Sequence, residues 1–131
     1  MTIRRRAALP ASLLMLALAP ALLAGCARES EAVGTVKAGV LDTCPSATVG
    51  EMADAYLSDP SWSDAGTADG KQLVDVSGGV NYAGEQTTAT IRFSVDPGTK
   101  DFSVAGVALG SQDKDELFLA ALILSMCKAA G

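Results

Sequence analysis

Histidine occurs at none of the 131 positions. That absence removes the commonest general base, the commonest metal ligand and the usual charge switch near neutral pH. Positive charge is also scarce. Ten basic residues stand against fifteen acidic ones, and three of the ten are Arg4, Arg5 and Arg6. From Cys26 onward the balance is seven basic to fifteen acidic, a formal charge of −8. A surface this acidic is repelled by nucleic acid and by anionic headgroups, so no nucleic-acid partner is expected. Glycine-rich phosphate loops, internal repeats and low-complexity tracts are lacking too, which leaves no nucleotide-binding signature and no solenoid.

A long unbroken apolar run is missing as well. Ala7 to Leu23 is apolar but is interrupted by Pro10 and Pro20, and it follows the three arginines. A spanning helix needs about 20 uninterrupted apolar residues. A basic start, a short apolar stretch and small residues at its end describe an export signal instead. The stretch Leu23-Ala24-Gly25-Cys26 resembles the bacterial lipobox, in which the cysteine thiol receives a diacylglyceryl group and becomes the first mature residue. The resemblance implies a signal peptide at 1–25, with Leu23, Ala24 and Gly25 as its cleavage motif, and lipidation at Cys26. Several acyl chains, each methylene contributing about 0.8 kcal/mol on burial, hold a protein firmly on a bilayer. Arg5-Arg6-Ala7-Ala8-Leu9 also fits a loose twin-arginine pattern, but the general secretory route is the expectation for so short a basic region. Position 27 is alanine rather than an aspartate that would resemble an inner-membrane retention signal. The expected location is therefore the cell envelope, at the periplasmic face of the outer membrane where the host has two membranes and otherwise at the outer face of the cell membrane.

Residues 26–35, the lipidated cysteine and the polar stretch after it, read as a tether reaching no more than about 30 Å. A single α+β domain is expected over 36–131. Thr48-Val49-Gly50-Glu51 has the form of a capping box, and Val49, Met52, Ala53, Tyr56 and Leu57 recur at helical spacing before Ser58-Asp59-Pro60 ends the run. Trp62 is expected to pack where the chain leaves that helix. Val74, Val76, Val80 and Tyr82 then alternate with more polar positions, with Gly78-Gly79 as a bulge or bend, and predict one strand. Thr87, Ala89, Ile91, Phe93 and Val95 predict a second, after a turn at Ala83-Gly84-Glu85. Asp96-Pro97-Gly98-Thr99 is a strong turn, and Phe102 to Leu109 completes a meander. Asp113 with Glu116 suggests another capping box, opening a helix whose stretch Leu117–Met126 is apolar almost all round. Such a helix is expected to be mostly core, with a partner interface as the alternative. The predicted order is α-β-β-β-α: a three-stranded antiparallel meander with two helices packed on one face.

Cys44 and Cys127 lie in a chain marked for export, where a disulfide is the default expectation and two free thiols the rival. A bridge would tie the two helices together and close a loop of about 80 residues, roughly 4 kcal/mol by chain entropy.

The run VKAGVLDTCPSATVGEMADAYLSDPSW, Val36 to Trp62, resembles the opening of a family of small bacterial lipoprotein domains with a V-K-x-G-x-L, Pro, T-[VI]-G-E and P-x-W pattern. The likeness extends through Asp69-Gly70, Gly78, Tyr82 and the run from Ile91 to Asp96. It implies a fold and an envelope setting and carries no activity. Family members usually have an aromatic-rich face where this chain has Ala53, Ala55 and Tyr56, and the Cys44/Cys127 pair lies outside the pattern. The predicted layout is also broadly similar to outer-membrane assembly lipoproteins and to β-lactamase inhibitor domains, in architecture alone.

Chemical motifs are weak. Ser125-Met126-Cys127-Lys128 fits S-x-x-K but has no S-D-N or K-T-G partner. Asp59, Asp64, Asp69 and Gly70 lack the spacing of a calcium loop. Asp113, Asp115 and Glu116 suit a helix start as well as an acid/base pair. Cys127 as a nucleophile has no histidine beside it. No cofactor, metal site or catalytic set is expected. The expected function is a membrane-anchored lipoprotein whose non-catalytic domain binds another envelope protein, with Trp62 and Tyr56 as candidate contact residues. The alternative is a small carboxylate-based hydrolase of the envelope.

Overall fold

The computed structural model describes residues 29–131. The expected signal peptide at 1–25, its motif Leu23, Ala24 and Gly25, and the lipidation site Cys26 lie outside the described residues. The chain runs as helix α1 (Glu31–Ala38), helix α2 (Val49–Tyr56), strands β1 (Ser58–Ala68), β2 (Lys71–Tyr82), β3 (Glu85–Val95), β4 (Phe102–Leu109) and β5 (Gln112–Lys114), and helix α3 (Glu116–Ala130). The strands form one antiparallel sheet in the order β1-β2-β3-β4-β5.

The α+β class and the antiparallel meander agree with expectation, but among the described residues the sheet has five strands rather than three and there are three helices rather than two. β1 escapes the alternation rule because it reads SDPSWSDAGTA, with almost nothing to bury. It is held instead by its pairing with β2 through the two-residue turn Asp69-Gly70, both at positive φ (52° and 77°), between paired Ala68 and Lys71. β5 follows the equally short turn after Leu109. The bulge or bend expected at Gly78-Gly79 is absent from the β2–β3 ladder, which pairs both residues in register; the register shifts lie in β1, between Ser58 and Ser61 and between Asp64 and Thr67, and in β4 at Ala105, opposite Arg92 and Phe93.

α1 corrects the tether. Ser30 caps it by accepting from the Val33 N–H at 3.1 Å, and Ala32, Val33 and Val36 are buried. Among the described residues the fold therefore begins with Ser30, inside the stretch read as linker. The Thr48–Glu51 capping box of α2 is complete, with Glu51 N–H donating to Thr48 Oγ1 (3.1 Å) and Thr48 N–H to Glu51 Oε1 (2.8 Å). α3 is capped by Asp115, which accepts from the Phe118 N–H at 2.9 Å, and not by Asp113, which sits in β5.

The three described helices lie on the face of the sheet that carries Val74, Val76, Ala89, Ile91, Phe93 and Val95, each at most 1% exposed. Phe93 is the centre of this layer. Trp62 stacks on it at 6.4 Å and Phe102 meets it edge-on at 6.2 Å. The other face is wet and polar, with Ser77 and Thr90 hydroxyls 2.7 Å apart and Arg92 donating to both carboxylate oxygens of Asp75 (2.8 and 3.0 Å). Cys44 and Cys127 are joined in a disulfide with their Cα atoms 5.8 Å apart, linking the loop after α1 to the last turns of α3.

Candidate functional site

α3 is more apolar than one contact can bury. Leu122, Ile123 and Met126 are buried, and the helix packs chiefly on α2 while touching β4 only lightly. The expectation of a mostly buried helix therefore fails over much of its length: Leu117 is 79% exposed and Leu124 56%. The light contact with β4 leaves a cleft of about 710 Å³ between them.

One wall of the cleft is the α3 row Glu116, Leu119, Ala120, Ile123 and Leu124, residues that helical spacing places on one side. The opposite wall is the first half of β4, from Phe102 to Ala105. The loop Val40–Thr43 closes the end, and Val40 is 52% exposed there. This loop is firm. Val49 N–H donates to the Gly39 carbonyl at 2.9 Å across its ends, Cys44 N–H donates to the Leu41 carbonyl at 2.9 Å, and the disulfide fastens Cys44 to α3. Phe102 lies so close to Gly39 that a Cβ there would come within 2.3 Å of its ring. Glycine at 39 thus lets the aromatic floor sit against the end of α1. Acidic side chains, Asp42 and Glu116, line the cleft, and among the described residues no basic one does.

Neither residue singled out as a contact candidate is here. Trp62 is half-buried on Phe93 with Lys37 Nζ 5.6 Å above its ring, and Tyr56 packs half-buried against the core. Sequence reasoning missed Val40, Phe102, Leu119 and Leu124. The signal was present in the all-round apolarity of 117–126, which exceeds what one helix face needs. A smaller aromatic group stands at the far end of the sheet, where Tyr82 and Phe118 meet edge-on at 5.5 Å and Lys114 Nζ lies 5.9 and 5.6 Å from their rings.

The acids considered for catalysis or metal binding are dispersed. Asp115 caps α3, Asp64 accepts from Ser30 Oγ at 2.7 Å, and Asp59 and Asp69 occupy positive-φ positions of β1 and its turn. Among the described residues no group of three or more acidic, cysteine or histidine side chains is placed to hold a metal ion. The hydrogen bond and charge of Asp75 raise the pKa of Arg92 further above its ordinary value. That exposed pair flanks a polar depression of about 420 Å³ on the open face of the sheet, with Thr90, Asp113 and Lys114. Ser125 of the S-x-x-K match donates its hydroxyl to the Ala121 carbonyl at 3.0 Å, a bond internal to the helix.

Compared with protein-family models, with curated proteins and with solved structures, the chain matches none.

Proposed function

We propose that this chain is a lipid-anchored protein of the bacterial cell envelope, held by a diacylglyceryl-modified Cys26, whose small domain binds another envelope protein and performs no chemistry of its own. The observation that carries the binding role is the open apolar cleft between α3 and β4, with Leu124 and Val40 more than half exposed on its rim. Exposed apolar groups brought together in a concave surface favour association, because their burial against a partner releases water. The walls are fixed by a capped helix, a sheet strand and a disulfide-tied loop, so little ordering cost is left for the binding event. The anchor rests on the lipobox-like Leu23-Ala24-Gly25-Cys26, and the resemblance of Val36–Trp62 to small lipoprotein domains is in keeping with the same setting.

The anchor is tested by Cys26→Ser, which removes the thiol that the lipid and then the peptidase require. The variant is expected to remain unprocessed and to take up no labelled fatty acid. Processing and membrane fractionation identical to the parent would refute the lipoprotein reading. The binding role is tested in cells by a photoreactive residue at Leu124 and, as the control, at the exposed Asp54 of α2. A discrete protein adduct at Leu124 and none at Asp54 is expected, and equal or absent adducts at both would refute it.

A further inference from the structure

We propose that the cleft takes an extended segment of the partner protein as an added strand on the free edge of β4. The inference rests on the binding role above and names the form of the partner.

The hydrogen-bond phase of β4 decides which backbone groups are free. Asp96 N–H donates to the Asp101 carbonyl at 2.8 Å, so that pair is a bonded one. Bonded and non-bonded pairs alternate along an antiparallel ladder. Ser94 with Ser103 is therefore bonded, whereas Val95 with Phe102 and Phe93 with Val104 are not. The N–H and C=O of Phe102 and Val104 accordingly point away from β3. Beyond the bulge at Ala105, Gly110 N–H donates to the Thr88 carbonyl at 2.8 Å and sets the same phase, so Val107 and Leu109 point outward as well. Those two are paired with Lys114 and Gln112 of β5. β5 then stops, because the chain turns into α3 at Asp115. The outward groups of Phe102 and Val104 have no strand beside them among the described residues.

An open edge with unpaired amides is a template for another strand. Here it borders an apolar cleft on the same side. The side chains of Phe102 and Val104 lie on the helix-bearing face and line the cleft with Leu119, Ile123 and Leu124. A strand laid along β4 would drop every second side chain into that space and turn the others to the polar face. From Phe102 to Gly106 the edge offers roughly 17 Å, about five residues of contact. The lining, acidic at Asp42 and Glu116 and without a basic side chain among the described residues, favours lysine or arginine beside the apolar positions. The occupant is thus an extended stretch of another protein with apolar residues at alternate positions and a basic flank.

The test uses the full lipidated chain in its own cells, with a photoreactive residue at Leu124 or Ala105 and the adducts mapped by mass spectrometry. Adducts in one partner segment at positions two residues apart are expected, as is at least a tenfold slowing of amide exchange at Phe102 and Val104 in the adduct. Leu124→Glu, at an exposed position that does not burden folding, is expected to cut the Ala105 adduct at least tenfold. Partner positions spaced three or four apart, adducts to a second copy of this chain or to acyl chains, unslowed exchange, or a yield untouched by Leu124→Glu would overturn strand addition. Helical spacing would leave the binding role standing, whereas no protein adduct at either position would remove both.

Discussion

Reduction of the Cys44–Cys127 bridge should cost this domain a large part of its stability, and the size follows from the loop. The two cysteines are separated by 83 residues, nearly the whole folded chain. Closing a loop of that length in the unfolded ensemble corresponds to about 4.5 kcal/mol by the chain-entropy relation. A domain of this size holds about 5–15 kcal/mol in all. At about 4–8 °C per kcal/mol, the midpoint of thermal unfolding should fall by roughly 20–35 °C on reduction. Oxidised and reduced wild type share every side chain, so the comparison isolates the covalent link; a double alanine variant should reproduce it, with a little more lost at fully buried Cys44. The urea slope should rise modestly on reduction, because an unfolded chain without the crosslink exposes more surface. Circular dichroism melts with and without reductant decide the matter. A midpoint that moves by less than about 5 °C would mean that the reduced chain keeps its ends together by other contacts, and the reasoning would fail.

Two glycines should respond in opposite directions to alanine. At Gly78 an added Cβ would lie 2.6 Å from Leu57 Cβ and 2.9 Å from the Ser58 carbonyl oxygen, neither of which is the free end of a side chain; Gly78→Ala should cost about 1–3 kcal/mol in urea titration. At Gly34, inside α1, nothing lies within 4 Å of the added Cβ, so Gly34→Ala should stabilise by about 0.5–1 kcal/mol. Ala83 sits at φ 54° in the two-residue turn before Gly84, and Ala83→Asn should raise the thermal midpoint, by about 0.5–1 kcal/mol of stability, since asparagine tolerates the left-handed region. The N–H groups of Gly98 and then Thr99 hold the Asp96 carboxyl below its ordinary pKa. Its contribution is present above about pH 4 and is lost as pH falls through the depressed value. Asp96→Asn keeps an acceptor without the charge, so the difference in melting midpoint between wild type and variant should shrink from about pH 6 to about pH 3, and a constant difference would contradict the assignment.

Where burial followed a period, the residues announced the structure. β2 and β3 alternate valine, isoleucine and phenylalanine with polar positions, and they form the sheet centre in register. The Thr48–Glu51 box and the Asp96 turn depend on contacts within a few residues and are likewise readable locally. β1 was hidden because an edge strand covered on one side by α1 and α2 needs few apolar residues, and only its single tryptophan reaches the core. α1 was hidden for a related reason: Gly34 and Thr35 are poor helix formers, and tertiary burial of Ala32, Val33 and Val36 outweighs them. The cleft could not be read from the sequence, since it arises from where α3 crosses the sheet. Whether Leu119 or Leu124 meets β4 or water depends on that crossing, which no local pattern encodes.

The early start of the fold changes the geometry of the proposed anchor. With Ser30 capping α1, only residues 27–29 separate it from the proposed lipid on Cys26, and a chain of that length reaches roughly 14 Å at most, about half of what a tether ending at residue 35 would reach. Ser30 and Glu31 are also bonded to one end of the sheet, through Asp64 (2.7 Å) and Lys100 (3.1 Å). That end carries the turn 96–101, which leads directly into Phe102 and hence into the open half of β4. A lipid on Cys26 would therefore hold the cleft near the headgroups, where the net negative charge of the domain resists lying flat on anionic lipid. The paired far end, with Tyr82 and Phe118, would point away from the membrane. On this geometry the partner segment must itself run close to the bilayer. Lengthening the linker after Cys26 by about ten flexible residues should then weaken capture at Leu124 in cells while leaving the stability of the purified domain unchanged. Equal capture with the longer linker would show that height above the membrane plays no part in recognition.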